Sequence, residues 1–127
     1  MGFEINVRFP GNKKVDAEFG GFVVRTDQPE QSGGDGSAPS PYQLFLASIA
    51  TCAGIYVLGF CQARGIDASG VKLTQKMEWD EKTHVLKKVW IEIHVPPSFP
   101  AKYHDAWCEP LTAARSRRPS RRSPCST

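Results

Sequence analysis

PSPYQLFLASIATCAGIYVLGFC (residues 39–61) is the stretch on which the fold turns. The eighteen residues from Leu44 to Cys61 carry no charge, and Cys52 stands near their middle. Ser40 is placed to act as an N-cap, and Pro41 fits the first helical position, where its missing N–H costs nothing. Gly65 supplies the stop. The stretch therefore predicts one helix from Pro41 to Arg64, about 24 residues and about 36 Å long.

A run of this length reaches the lower bound for a membrane span. Three features speak for a buried helix instead. Ser48, Thr51, Tyr56, Gly54 and Gly59 interrupt the run, its N-terminal flank has no basic residue, and the rest of the chain supplies amphipathic strands that need an apolar layer to cover. No membrane partner is expected. A helix that is apolar on every side must be covered on every side, which one small domain can hardly do alone. Ala47, Ala50, Thr51 and Gly54 recur at spacings of three and four, so another backbone can come close along that side. A symmetric copy is the simplest supplier and predicts an obligate homodimer with two central helices enclosed by sheets. The alternative is a small-residue stripe packed on the chain's own sheet.

Outward from the helix, FEINVRF (3–9) alternates apolar and polar residues, PGNKK turns the chain, and a second strand is expected over 15–19. Gly20 and Gly21 permit a tight reversal into a third strand at 22–27. QPEQSGGDGSAPSP then loses all periodicity and reads as a flexible loop; its GGDG (33–36) falls short of a phosphate-binding pattern. After the helix, VKLTQKMEW (71–79) sets Val71, Leu73, Met77 and Trp79 on one face. VLKKVWIEIHV (85–95) does the same with Val85, Val89, Ile91, Ile93 and Val95, and DEKTH joins the two strands as a hairpin. Trp79 and Trp90 are expected to pack in this sheet. PPSFP breaks the pattern, and AKYHDAW starts another helical stretch. The result is an α+β chain: three strands, a long helix, two strands and the beginning of a second helix.

With 127 residues, one domain is expected. A charged fraction of 23% and a mean hydropathy of -0.36 are those of a soluble globular protein. The N-terminus MGFEINVRFPG is a strand rather than a signal peptide, so a cytoplasmic location is expected. Net charge is +3, but Arg115, Arg117, Arg118, Arg121 and Arg122 supply five positive charges; subtracting them from +3 leaves -2 for the remainder. A nucleic-acid-binding face would spread basic residues over the fold; here they crowd a terminal Arg/Ser/Pro tract, and no nucleic-acid partner is expected. That tract predicts two parts: a domain over 1–106 and a disordered tail over 107–127.

The four cysteines, Cys52, Cys61, Cys108 and Cys125, have no C-x-x-C spacing, and His84, His94 and His104 are scattered. No metal or other cofactor is expected. Cys52 lies about three turns into the helix, beyond the reach of the helix dipole, and by itself reads as an inert core thiol. Cys61, nine residues on, points to the opposite side about 13.5 Å along the axis, which rules out an intrahelical disulfide.

GSAPSPYQLFLASIATCAGIYVLGFCQARGI (36–66) resembles the signature of the OsmC/Ohr family, osmotically inducible protein C and the organic hydroperoxide resistance proteins. VDAEFGGFVVRTDQPEQSGGDG (15–36) is similar to the strands and Gly-rich loop ahead of it, and the likeness runs over about residues 3–106. The resemblance implies an intertwined homodimer of antiparallel sheets wrapped around long central helices. It implies that Cys52 is the peroxidatic cysteine, attacking an organic hydroperoxide and relying on a dithiol reductant. Arg8 and Arg25 are the candidate partners of its thiolate. The sequence departs from the family in two places. The glutamate expected ten residues before the cysteine is Tyr42, followed by Gln43, which can hydrogen-bond an arginine but carries no charge. The resolving cysteine belongs some sixty residues on, in a second helix; Cys108 and Cys125 lie 56 and 73 residues on, in sequence unlike the family's, as though that C-terminal part were replaced by a shift of reading frame. The alternative to a peroxidase is a non-enzymatic OsmC-like dimer that binds a small apolar ligand or has a structural role.

Overall fold

A computed structural model of the chain describes residues 2–103. His104, Trp107, Cys108, Cys125 and the expected tail over 107–127 lie outside the described residues. The described residues form five strands and one long helix: β1 (Asn6–Gly11), β2 (Lys14–Phe19), β3 (Phe22–Thr26), α1 (Pro41–Ala63), β4 (Lys72–Trp79) and β5 (Leu86–His94). Two antiparallel sheets result, β1-β2-β3 before the helix in chain order and β4-β5 after it. This is an α+β fold with a central helix. The chain divides into two compact units, Met1–Leu58 and Gly59–Thr127, so the boundary falls within α1.

In the first unit β2 pairs with both neighbours. Its turn to β3 is Gly20–Gly21 with φ of 54° and 79°, the doubly left-handed geometry of a two-residue hairpin that glycine adopts at no steric cost. β1 starts at Asn6 rather than at Phe3, because its partner strand ends: Asn6 stands opposite Glu18, and beyond Phe19 the chain turns away. The ladder is also irregular between Arg8 and Gly11, where Pro10 has no N–H to give. Cross-strand partners share a face, so the register sorts the side chains. Val7, Ala17 and Val24 fall on one face with Phe19 and Phe22; Arg8, Asp16 and Arg25 form a row across the other.

The connection over 27–39, expected to be a flexible loop, is a hydrogen-bonded structure. Asp27 is fully buried. Its Oδ1 accepts the Gln28 N–H at 2.7 Å, and its Oδ2 accepts the N–H groups of Asp35 and Ser37 at 3.3 and 3.1 Å and the Ser37 hydroxyl at 2.6 Å. The N–H of Asp27 donates to the Pro39 carbonyl at 3.1 Å, tying the two ends together. A 3-10 turn at Glu30–Ser32 and a bond from the Gly36 N–H to the Gln28 carbonyl fill the span. Asn12, in the β1–β2 turn with φ 47°, donates to the Gly33 carbonyl and to Asp35, and Lys14 is ion-paired with Asp35.

In the second unit β4 and β5 pair over their whole length, with a bulge at Glu78/Trp79. The bulge moves the apolar face by one residue. Leu86, not Val85, stands opposite Trp79, and Val85 is exposed. Trp79 shares its face with Met77, whereas Trp90 stands opposite Lys76 on the other face with Lys88 at 5.1 Å from its ring. Asp80 closes the hairpin by accepting the N–H groups of Lys82 and Thr83, and His84 takes φ 56° in the turn. After β5 the helical stretch expected from Ala101 is, within the described residues, a 3-10 turn at Ala101–Tyr103.

Candidate active site

α1 is fixed at both ends by its own sequence. The Ser40 hydroxyl accepts the Gln43 N–H at 3.3 Å while Gln43 Oε1 accepts the Ser40 N–H at 3.0 Å, a reciprocal capping box. Gln43, read from sequence as a possible arginine partner, makes its hydrogen bond with the cap. At the other end Gly65 adopts φ 64°; its N–H bonds the Gln62 carbonyl at 3.3 Å and the Ile66 N–H bonds the Cys61 carbonyl at 2.9 Å. That pair of bonds is the Schellman stop. Arg64 folds back over the Phe60 ring at 3.7 Å and donates to the Phe60 carbonyl.

Between these caps the two cysteines have opposite surroundings. Cys61 is fully buried, whereas Cys52 is an exposed free thiol. The hydroxyls near Cys52 are turned back onto the helix: Ser48 donates to the Phe45 carbonyl at 2.6 Å, and Thr51 to those of Ala47 and Ser48, each at 3.1 Å. Around it Phe45, Ile55 and Tyr56 are exposed by 58%, 61% and 68%. Tyr42, at the position where a glutamate was expected, stacks on Phe45 with ring centroids 6.4 Å apart.

The two arginines are brought together in the row Arg8, Asp16, Arg25. Arg8 is engaged: its Nε donates to Glu18 at 2.9 Å, an exposed pair worth about 0–1 kcal/mol. Arg25 is exposed and makes no ion pair among the described residues. Neither arginine is hydrogen-bonded to Cys52. Among the described residues no group of three or more His, Cys, Asp or Glu could hold a metal ion.

Sequence reasoning missed Asp27, whose carboxyl is held down to about 2, first by the Ser37 hydroxyl and then by the backbone N–H groups of Ser37 and Gln28 and the charge of Lys14. It also missed Gly34, which passes so close to Gln28 that a Cβ built there would lie 1.9 Å from the Gln28 carbonyl oxygen. The capping box was in plain view as the spacing S-x-x-Q. Asp27 carried no such signal, since its partners lie one, eight and ten residues on, in a stretch without periodicity.

A cysteine-bearing helix set between two antiparallel sheets in chain order defines the class of α+β protein to which this chain is to be compared. Residues 34–108 match the model of the family described as OsmC-like protein, more than half of the chain, and the chain belongs to that family. No curated protein matches it. The chain is similar to a solved structure from Psychrobacter arcticus 273-4, of a candidate osmotic stress induced and detoxification response protein. The TM-score is 0.66 at 21% identity, over 81% of this chain and 77% of that one, a likeness that bears on the fold alone.

Proposed function

We propose that this OsmC-like chain is a thiol-dependent peroxidase that reduces organic hydroperoxides, with Cys52 as its nucleophile. The observation that supports this reading is the contrast between the two cysteines of the family-matched helix: within one chain Cys52 is an exposed free thiol, while Cys61 is buried. The Cys52 thiolate attacks the distal peroxide oxygen, the O–O bond breaks, and the alcohol leaves once its alkoxide takes a proton. Cys52 is left as a sulfenic acid. A dithiol reductant condenses with it, releasing water, and its second thiol then frees Cys52 as the reductant closes to a disulfide. Arg25, without an ion pair among the described residues, is the freer of the two arginines to hold a thiolate; Arg8 would first have to leave Glu18.

In this reading the working unit is a cytoplasmic homodimer, and residues 1–106 form its OsmC-like domain. α1 is long and apolar enough to cross a membrane, yet only 17% of its most apolar window is buried within the chain. The sheet β1-β2-β3 likewise leaves Phe3, Phe9 and Phe22 exposed. Apolar surface on this scale in a soluble chain calls for a cover, and a second copy brings the same two surfaces. An α+β fold whose amphipathic strands need an apolar layer to cover favours that cover over lipid.

A second reading, a non-enzymatic dimer that binds a small apolar ligand, is favoured by one observation. Tyr42 stands where the resemblance expects a glutamate that would hold an arginine at the helix start, and the uncharged Gln43 already accepts the Ser40 N–H. Consumption of cumene hydroperoxide with a dithiol donor decides between them. Turnover in wild type and its loss in Cys52→Ser support the peroxidase; equal rates in both leave the binding role.

A further inference from the structure

No further inference is drawn: the strongest candidate, the exposed apolar face of the sheet β1-β2-β3 around Phe3, Phe9 and Phe22, belongs to the self-association surface already proposed, and nothing in the structure shows a different occupant for it.

Discussion

Asp27 and Ser37 are joined twice through one oxygen: the Ser37 N–H and hydroxyl both donate to Asp27 Oδ2, at 3.1 and 2.6 Å. With the Gln28 and Asp35 N–H groups, they satisfy a carboxylate that is buried between the end of β3 and the start of α1. Donors gathered around a buried carboxylate favour its ionised form.

Stability should therefore fall with acid through this group. Its carboxyl is depressed in the folded state to about 2, against roughly 3.9 in an unfolded chain. The stabilisation is fully present above the unfolded value and is lost as pH falls through the folded one. Asp27→Asn should be less stable than wild type at pH 7, because an amide must set a donor against donors. The gap between their melting temperatures should narrow as pH is lowered from about 5 to about 2. A gap that stays constant with pH would mean that Asp27 does not hold the loop in its charged form.

The same connection predicts a severe effect at Gly34. Replacing glycine by alanine in unstrained backbone stabilises by about 0.4–1 kcal/mol through the unfolded chain. Here the new Cβ would meet Gln28 backbone oxygen and carbon at 1.9 and 2.4 Å, atoms that cannot rotate away. Gly34→Ala should cost about 1–3 kcal/mol in urea unfolding; an unchanged midpoint would show that the loop does not pass so close.

The elements that could be read from sequence were those fixed locally. Ser40, Pro41 and Gly65 bracket α1 because caps act over one turn, and Gly20–Gly21 marks its hairpin because glycine takes positive φ at both positions without steric cost. What could not be read depended on distant residues. The bulge that exchanges Val85 for Leu86 is a property of the pairing, not of either strand. The order in 27–39 comes from one aspartate gathering N–H groups up to ten residues away. At the candidate site the resemblance singles out Cys52, whose catalytic role is a proposal, while the engagement of Arg8 and Arg25 had no signal in the sequence. Their shared row with Asp16, and the capture of Arg8 by Glu18, follow from strand register.

Self-association gives a third test. Gly54 belongs to the small-residue side of α1, and a Cβ built there meets nothing within 4 Å in the single chain apart from its own helix. Leucine is the better helix former by up to about 1 kcal/mol, so Gly54→Leu should not harm α1 itself. If a second helix lies against that side, the variant should sediment as a smaller species or dissociate at higher concentration than wild type. Wild-type protein at micromolar concentration should show twice the 14.0 kDa chain mass. A well-folded single-copy wild type would remove the dimer, and a variant that associates like wild type would move the seam elsewhere on α1.

The assignment of chemistry to Cys52 is tested most directly without any reductant. The reduced protein is treated with one equivalent of cumene hydroperoxide in the presence of a sulfenic-acid trap, and its peptides are weighed. The trap's mass should appear on the peptide carrying Cys52, and not on the buried Cys61 when the two are resolved by fragmentation. Peroxide left unconsumed with Cys52 still a free thiol would contradict the account.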